Sequence, residues 1–218
     1  MNTHTMAPRA FLAGHPVKHS RSPLIHGHWL RRAGLAGTYE LIDVAPAEIE
    51  GFLRSFRDRG FVGGNITIPH KEAAFRSVDR VTERARRIGA VNTVYHEGHV
   101  LVGDNTDGHG FTAHLDDTFG PDWPERAGSA LVLGAGGAAR AIACALVERG
   151  IRRITIANRS RQRAEALAED LLAEPGPRPG VSVVPWESIT GELPGTGLLV
   201  NTTSLGMAGQ PPLDLDLE

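Results

Sequence analysis

Short apolar runs alternate with longer segments whose apolar residues recur at helical spacing, and this alternation continues along most of the chain. Residues 11–13, 39–44 and 65–68 have the composition of short strands. The segment after the second of these runs repeats apolar residues every three or four positions, which is typical of an amphipathic helix. Strands that alternate with helices predict an α/β protein with mainly parallel sheets.

Residues that start or stop regular structure bound several of these predicted elements. Ser22 is placed to cap a helix that Pro23 opens as its first residue, and Gly34 is placed to end that helix. Gly60 is expected to stop the second helix. Pro69 is expected to close the third strand because it cannot donate a main-chain hydrogen bond.

The later part of the chain contains further recognisable segments. Residues 91–103, VNTVYHEGHVLVG, are predicted to form a hairpin, and residues 104–108, DNTDG, lead into another helix. From residue 129 the pattern becomes strand, glycine loop, helix and strand. Residues 174–180, EPGPRPG, are predicted to be a turn-rich connection, and residues 197–203 a further strand.

A change of composition around residues 119–128, FGPDWPERAG, indicates two domains that are joined near residues 108–128. We expect the first domain to span residues 1–107 and the second to span residues 108–218. The strand, glycine loop and helix of the second domain are typical of a doubly wound parallel sheet.

The charge balance argues against a nucleic-acid or membrane partner. The sequence has 23 basic and 25 acidic residues, a formal net charge of -2, and no long basic run, so it lacks the positive patch that binds polyanions. No apolar run approaches the roughly 18 residues of a membrane helix, and the first residues do not resemble a signal peptide. We expect a soluble cytoplasmic protein that binds a small molecule.

Cysteine and histidine usage predicts neither a disulfide framework nor a metal site. The single cysteine, Cys144, lies in a predicted helix and is typical of a small buried residue. His26 and His28 lie two residues apart on another predicted helix, so they point to different faces. No cysteine or carboxylate cluster accompanies them, and we predict no bound metal.

The glycine loop VLGAGGAA predicts a dinucleotide site. Gly134, Gly136 and Ala139 form a GxGxxA arrangement between a predicted strand and a predicted helix. The first glycine allows the tight turn, the second lets main-chain amides approach a pyrophosphate, and the small Ala139 allows close helix packing. The start of the helix then attracts the phosphate groups.

The residues about twenty positions further on favour NADP over NAD. An NAD site usually carries an acidic residue there to hold the ribose 2′-hydroxyl, but this chain has Asn158, Arg159, Ser160 and Arg163. An arginine can clamp a 2′-phosphate and stack on the adenine. Ser160 also fits the cap of the following helix, with Arg163 on its exposed face, and that role does not exclude a phosphate contact.

Lys71 is unusual because arginine outnumbers lysine by 21 to 2 in this chain. Arginine keeps its proton, whereas lysine can release and regain one. Lys71, in NITIPHK, is therefore either a solvated surface lysine or a residue kept for proton chemistry. On the preceding strand Asn65 and Thr67 share one face, which is either exposed to solvent or part of a site, and alternation turns His70 away.

Seven motifs stand in one order along the chain: GHPVKHSRSPLIH, NITIPHK, GAVNT, DNTDG, GAGGAAR, NRS and NTTSLGM. Over residues 11–207 they resemble the shikimate dehydrogenase family and its quinate-using relatives. The resemblance implies an N-terminal α/β substrate domain, a C-terminal Rossmann domain that binds NADP, and a cleft between them. The family reaction is reversible hydride transfer between the nicotinamide and the 3-position of shikimate, which gives 3-dehydroshikimate, in aromatic amino-acid and chorismate biosynthesis.

The same resemblance assigns roles to individual residues. Lys71 and Asp107 are implied to be the catalytic pair. The implied substrate contacts are Ser20, Ser22, Asn65, Thr67, Lys71, Asn92 and Asp107. The implied cofactor contacts are Gly134, Ala135, Gly136, Gly137, Ala138, Asn158, Arg159, Ser160, Arg163, Thr203, Ser204 and Met207, together with Glu83. The implied partner is shikimate or 3-dehydroshikimate, with the protein a monomer or a homodimer.

These residue types suit the implied chemistry. Ser20 and Ser22 would offer two hydroxyls to one carboxylate if their segment is extended, although Ser22 is also the predicted helix cap. As an ammonium, Lys71 can protonate the ketone oxygen when the hydride arrives, and as an amine it can accept the proton of the alcohol. Asp107 is either its carboxylate partner or the cap of a helix that begins at Gly108.

Two other functions remain open at this stage. A quinate or mixed quinate/shikimate dehydrogenase would turn over quinate or prefer NAD, and Asn158 with Arg159 argues against a strictly NAD-using form. A catalytically silent ligand-binding protein would lack part of the polar set, but both Lys71 and Asp107 are present. Family members continue past NTTSLGM, so the resemblance also implies a Rossmann domain that is incomplete at its C-terminus.

Overall fold

The structure, a computed structural model, describes residues 7–173 and 178–215. The chain divides into two units, Met1–Asn105 and Thr106–Glu218. This division falls two residues before the predicted boundary, and the helices of residues 107–127 therefore belong to the second unit. Of the predicted turn-rich connection at residues 174–180, residues 174–177 lie outside the described residues.

The first unit is built on a mixed six-stranded sheet. Its strands follow the order β2-β1-β3-β5-β6-β4, in which β1 is parallel to both neighbours while β5 is antiparallel to both of its own. The strands are β1 (Arg9–Gly14), β2 (Thr38–Asp43), β3 (Phe61–Ile66), β4 (Arg80–Val81), β5 (Thr93–Glu97) and β6 (Val100–Asp104). The helices are α1 (Ser22–Arg32), α2 (Ile49–Ser55), α3 (Lys71–Ser77) and α4 (Glu83–Ile88).

The core of the first unit is an aromatic cluster between β1 and α2. The Phe11 ring lies 4.9 Å from that of Phe52, 5.1 Å from Phe56 and 5.3 Å from Phe61, all edge-on. Burying one such side chain stabilises a fold by about 1.5–3 kcal/mol. This cluster fixes β1 and β3 against α2, so the polar ends of these strands are held by a packed interior.

The start of α1 differs from the prediction, whereas its end agrees with it. The helix begins at Ser22 and its N-cap is Arg21, so Ser22 does not cap it. The Oγ of Ser20 accepts a hydrogen bond from the Ser22 amide instead. Gly34 ends the helix as predicted, since its φ is 64° and its amide donates to the carbonyl of Arg31.

The third strand ends two residues earlier than predicted. The β3 strand ends at Ile66, and the chain turns because the His70 amide donates to the Thr67 carbonyl. Ile66 is 1% exposed whereas Ile68 is 46% exposed, so the two isoleucines do not share a buried face. Thr67 still donates its amide to the Ala13 carbonyl, which keeps it beside the end of β1.

The second unit has the parallel sheet that the glycine loop predicts. Its strand order is β10-β7-β8-β9, and every pairing is parallel. The strands are β7 (Ser129–Leu133), β8 (Arg153–Ala157), β9 (Gly180–Val184) and β10 (Leu198–Asn201). The helices are α5 (Asp107–Phe119), α6 (Trp123–Ala127), α7 (Gly137–Glu148), α8 (Arg161–Ala173) and α9 (Ile189–Glu192).

Within residues 7–173 and 178–215 there is neither a membrane-spanning helix nor a cluster of metal-binding side chains. Among the helices of this part of the chain, none is long and apolar enough to cross a membrane. The same residues contain no group of three or more histidine, cysteine, aspartate or glutamate side chains that could hold a metal ion. Cys144 is buried in α7, as its sequence context predicts.

Candidate functional site

The first polar group of the candidate site lies between β1 and α1. The Oγ of Ser20 donates to the Oγ of Ser22 over 3.0 Å, and both side chains are half-buried. The Ser20 amide donates to the Val17 carbonyl, which closes the loop that carries it. The two hydroxyls therefore form a pair, although Ser22 is helical rather than extended.

Lys71 lies at a helix start rather than on a strand. It is the first residue of α3, and His70 is the N-cap. His70 is 1% exposed, and its Nε2 donates to the Val44 carbonyl over 2.8 Å. Burial lowers the pKa of His70, so this ring is neutral and holds the turn in place. The predicted turning away of His70 is correct, but the cause is this turn and not strand alternation.

Main-chain hydrogen bonds tie the segments that carry the candidate residues to one another. The Ile66 amide donates to the Asn92 carbonyl over 2.8 Å, and the Asn92 amide donates to the Asp104 carbonyl over 2.9 Å. The Val91 amide donates to the Lys71 carbonyl over 2.9 Å. Asn92 is 7% exposed. The ends of β3 and β6, the start of α3 and the residues before β5 therefore have fixed relative positions.

A side-chain network around Asn65 was not predicted. The Tyr39 hydroxyl donates to Asn65 Oδ1 over 2.6 Å. Asn65 Nδ2 donates to the Asn92 carbonyl over 3.2 Å and to Thr93 Oγ1 over 3.1 Å. The Thr93 hydroxyl in turn donates to Asn92 Oδ1 over 2.7 Å. Tyr39 and Thr93 lie in segments that were predicted to be strands, but no local sequence pattern marks them as partners of Asn65.

Asp104 forms a charged anchor at the end of β6. It pairs with Arg84 Nη2 over 2.6 Å and accepts from the Thr82 hydroxyl over 2.6 Å. Burial alone would raise the pKa of Asp104, but the hydrogen bonds from Arg84, Thr82 and the Asn105 amide outweigh it, and the net pKa is lowered. The buried Asn105 donates to the Ala90 carbonyl over 3.0 Å.

Glu83 lies between Thr82 and Arg84, the two side chains that bind Asp104, and points to the surface of the first unit. It is the first residue of α4, its side chain is 80% exposed, and it lies 3.6 Å from Arg86. Thr82 caps that helix by accepting a hydrogen bond from the Ala85 amide. A surface pair of this kind contributes little to stability.

Asp107 belongs to the second unit, where it is the first residue of α5. The N-cap of that helix is Thr106, so Asp107 is not the cap that the sequence offered as an alternative. Its carboxylate is half-buried at a helix N-terminus, a position that favours a negative charge. Lys71 and Asp107 thus share one local setting, since each is the first residue of a helix.

The glycine loop of the second unit has the geometry of a phosphate-binding turn. Gly134 has a φ of 113°, and a Cβ atom there would lie 2.5 Å from Thr202 Oγ1. Gly136 is the N-cap of α7, and a Cβ atom there would meet nothing within 4 Å. Ala139 is fully buried. The amides at the start of α7 therefore lie beside open space, as the loop motif predicts.

The end of β8 presents polar and basic groups. Asn158 Nδ2 donates to the Ser160 carbonyl over 2.9 Å, which holds the turn. Ser160 Oγ accepts from the Arg163 amide over 3.4 Å, so Ser160 caps α8 as expected. Arg159 is exposed.

The loop after β10 is held by Asn201. Its Oδ1 accepts from the Thr203 amide and hydroxyl over 2.9 and 2.7 Å, and its Nδ2 donates to the Leu205 carbonyl over 3.0 Å. Ser204 accepts from the Met207 amide through its carbonyl. The Met207 side chain is 55% exposed. Asn201 was not among the predicted residues, although NTTSLGM contains it.

These residues fit a phosphorylated dinucleotide. The first turn of α7 contains no acidic residue, and Gly136 leaves room for a pyrophosphate beside the helix amides. After the end of β8, residues 158–163 include Arg159, Arg161 and Arg163 and no acidic residue. A 2′-phosphate would therefore meet positive charge and hydroxyl groups rather than repulsion.

Family comparisons match both parts of the chain. The family described as "Shikimate dehydrogenase substrate binding domain" matches residues 12–94. The family described as "Shikimate / quinate 5-dehydrogenase" matches residues 124–177. The first match contains Ser20, Asn65, Lys71 and Asn92, and the second contains the glycine loop.

Individual proteins show the same similarity. A shikimate dehydrogenase (NADP(+)) of Methylobacterium radiotolerans is 60% identical over 96% of this chain and 73% of its own length. Shikimate 5-dehydrogenase of Thermus thermophilus, solved with NADP(H) and shikimate, is 42% identical with a TM-score of 0.74, over 92% of this chain and 70% of that one. A 5-ketofructose reductase of Gluconobacter sp. strain CHM43 is 30% identical with a TM-score of 0.77, over 97% and 75%.

Proposed function

The chain belongs to the NADP-dependent shikimate dehydrogenase family, and we propose that its residues divide the family reaction so that the first unit supplies the substrate contacts and Lys71, while the second supplies the cofactor contacts and Asp107. The reaction is the reversible reduction of 3-dehydroshikimate to shikimate. The observation that carries this division is the set of main-chain bonds that fixes the segments of Asn65, Lys71 and Asn92 within the part matched by the substrate-binding family.

On the substrate side, the paired hydroxyls of Ser20 and Ser22 bind the carboxylate of shikimate. In the structure Ser20 gives its single proton to Ser22 over 3.0 Å, so the Ser20 hydroxyl turns towards the ligand for both hydroxyls to donate to one carboxylate. Asn65, Thr67 and Asn92 bind the ring hydroxyls. A site that hydrogen-bonds hydroxyls in this way rejects analogues that lack them by about 10⁴-fold or more, because its own polar groups would remain unpaired.

Lys71 performs the proton step. As an ammonium it donates a proton to the ketone oxygen while negative charge develops there, and in the opposite direction its neutral amine accepts the proton of the alcohol. Its main-chain carbonyl at the start of α3 accepts from the Val91 amide, which holds Lys71 in place. Asp107 is assigned the catalytic carboxylate of the DNTDG motif.

On the cofactor side, bound NADPH supplies the hydride. The amides after Gly136 bind its pyrophosphate, and Ala139 lets α7 approach the sheet. Arg159, Ser160 and Arg163 bind the 2′-phosphate. Thr203, Ser204 and Met207 would hold the nicotinamide end, and Glu83 would complete the cofactor contacts.

A spectrophotometric assay tests this function. The purified protein is mixed with shikimate or quinate, each with NADP or NAD, and absorbance of the reduced nicotinamide is followed. We expect turnover with shikimate and NADP, with slower rates in the other three mixtures. Faster turnover of quinate would favour the mixed shikimate/quinate activity that the second family description allows. Absence of turnover in all four mixtures, with NADP still bound, would favour a silent ligand-binding protein.

The cellular compartment and the oligomeric state are part of the same proposal. We place the protein in the cytoplasm, because its single cysteine suits a reducing compartment. We also propose that it is a monomer or a homodimer. Sedimentation velocity of the purified chain distinguishes these two states, and a larger assembly would contradict both.

A further inference from the structure

We propose that Tyr39 is a positioning residue that holds the Oδ1 end of the Asn65 amide, whose orientation the Asn92 carbonyl sets, so that Asn65 meets the substrate only as a hydrogen-bond acceptor and selects a hydroxyl over a ketone. This inference rests on the proposed function, in which Asn65 contacts shikimate. It adds a residue, Tyr39, and a direction for the hydrogen bond.

The orientation of Asn65 follows from a group that can only accept. Asn65 lies 3.2 Å from the main-chain carbonyl of Asn92. A carbonyl oxygen has no proton, so the NH₂ group of Asn65 must face it, since the opposite orientation would set two acceptors against each other. Oδ1 of Asn65 then faces the Tyr39 hydroxyl at 2.6 Å, and Tyr39 must be the donor.

The remaining hydrogen-bonding capacity of Asn65 can be counted. One proton of Nδ2 goes to the Asn92 carbonyl and the other to Thr93 Oγ1 at 3.1 Å. Thr93 can accept because its own proton goes to Asn92 Oδ1 at 2.7 Å. Of the two lone pairs on Asn65 Oδ1, Tyr39 occupies one. The capacity that remains is therefore a single acceptor position.

Tyr39 is itself held in place as a donor. Its ring stacks on that of His26 with centroids 3.9 Å apart and an interplanar angle of 0°. The edge of His26 meets the Trp29 ring at 5.3 Å. Burial raises the pKa of Tyr39 to about 12 and lowers the pKa of His26, so near neutral pH the phenol keeps its proton and the imidazole stays neutral.

An acceptor-only Asn65 has a consequence for specificity. A substrate hydroxyl can donate to the remaining lone pair of Oδ1, but a ketone at the same place would bring two acceptors together with no proton between them. Asn65 therefore binds a hydroxyl that is present in both shikimate and 3-dehydroshikimate. The reacting oxygen, which is a ketone oxygen in 3-dehydroshikimate, is bound by Lys71 and not by Asn65.

The kinetic test is Tyr39→Phe, which keeps the stacked ring and removes the donor. We expect the KM for shikimate to rise about tenfold because the Oδ1 end of the amide is no longer held in place, while kcat and the KM for NADP stay within about twofold. The matched control is Tyr95→Phe, the other tyrosine of the chain, which lies on β5 and should change none of these values. An unchanged KM in Tyr39→Phe, or a loss confined to kcat, would overturn the inference.

A double-mutant cycle separates this inference from the function on which it rests. Unfolding by urea is measured for the wild type, Tyr39→Phe, Asn65→Ala and the double variant. Non-additive losses show that the two side chains act together, and additive losses overturn the positioning role. Failure of the wild type to turn over shikimate, with non-additivity intact, would contradict the proposed function and the substrate named here, but not the Tyr39–Asn65 bond.

Substrate analogues test the direction of the bond. The hydroxyl that Asn65 reads is identified as the one whose removal costs no further affinity in Asn65→Ala. An analogue with fluorine at that position can accept weakly but cannot donate, so wild type should bind it as weakly as it binds the deoxy analogue. Binding of the fluoro analogue with the affinity of shikimate would show that Asn65 donates, and would overturn the inference.

Discussion

The two units build their candidate sites from different kinds of group. In the first unit the polar atoms are side chains, and Asn65 alone engages Tyr39, Thr93 and the Asn92 carbonyl. In the second unit the loop after β7 offers main-chain amides, and its key residues are glycines with no side chain. A point substitution should therefore weaken binding at the first site by removing a polar side chain, and at the second site by adding a side chain where glycine has none.

The ligands proposed for the two sites account for this difference. Ring hydroxyls in fixed directions require donors and acceptors that point individually, which side chains provide. A pyrophosphate is a diffuse anion, and a row of amides at a helix start satisfies it without any particular side chain. Substitutions that test the two halves should therefore differ in kind as well as in size.

The largest expected effect is on Lys71. Lys71→Ala should lower kcat by about 10²–10⁴-fold, because the proton donor is lost, while the KM for shikimate changes little. Lys18→Ala, at the only other lysine of the chain, serves as the control and should leave kcat unchanged. Retained turnover in Lys71→Ala would show that the first unit does not carry the proton step. Lys71→Arg should recover part of the rate only if the role is purely electrostatic.

The next largest effects are expected for two glycines of the loop after β7, where a substitution adds a side chain. Gly136→Ala should fold normally, because its Cβ would meet nothing within 4 Å, yet weaken NADP binding about 10–100-fold by crowding the pyrophosphate. Gly134→Ala should instead unfold more easily, by about 1–3 kcal/mol, since its φ of 113° and the 2.5 Å approach to Thr202 admit no side chain. Fluorescence titration with NADPH and thermal unfolding measure the two effects. Equal behaviour of the two variants would contradict this contrast.

A smaller effect is expected where the second unit does use side chains. Arg159→Ala should raise the KM for NADP about tenfold and leave the KM for NAD nearly unchanged, because only NADP carries the 2′-phosphate. Arg161→Ala is the control, since Arg161 is engaged with Glu165 on α8. A parallel rise for both cofactors would place Arg159 elsewhere than at the 2′-phosphate.

The smallest effect concerns stability and pH in the first unit. The pKa of Asp104 is lower in the folded protein, so its carboxylate stabilises the fold above its unfolded pKa of about 3.9 and loses that contribution as the pH falls through the folded value. Asp104→Asn should cost about 1 kcal/mol at pH 7, a modest value because Arg84 is 45% exposed. The difference from wild type should shrink below about pH 4.

Urea unfolding between pH 3 and 7 measures this dependence. The control is Asp117→Asn, at an exposed aspartate of α5, which should show a much smaller change. A difference between Asp104→Asn and wild type that stays constant down to pH 3 would mean that the ionised carboxylate does not stabilise the first unit.

The order of elements was predictable from the sequence, whereas lateral contacts were not. The β7–α7–β8 unit, the hairpin of β5 and β6, and the helix end at Gly34 all follow from local patterns, and the structure confirms them. The predictions of the start of α1 and the end of β3 were wrong. The end of β3 depends on a turn held by His70, whose ring binds the distant Val44 carbonyl. At α1, Arg21 is the N-cap, and the Ser22 amide donates to the Ser20 hydroxyl.

The Asn65 network shows why part of the candidate site escaped prediction. Tyr39 precedes Asn65 by 26 residues and approaches it because β2 and β3 both pair with β1. Thr93 meets it through the antiparallel register of β3 and β5. Periodicity gives the face on which a residue lies but not the order of strands in a sheet, so such partners appear only with the fold.

The main-chain bonds that join Ile66 to Asn92 and Val91 to Lys71 also restrict how this architecture can vary in length. An extra residue between Ile66 and Lys71 would break the register of both ties at once. The turn at Gly98 is under no such restriction, since a Cβ there meets nothing within 4 Å, and insertions at that tip should be accommodated. The spacing between these anchors is therefore constrained by main-chain geometry, whichever side chains the segments carry.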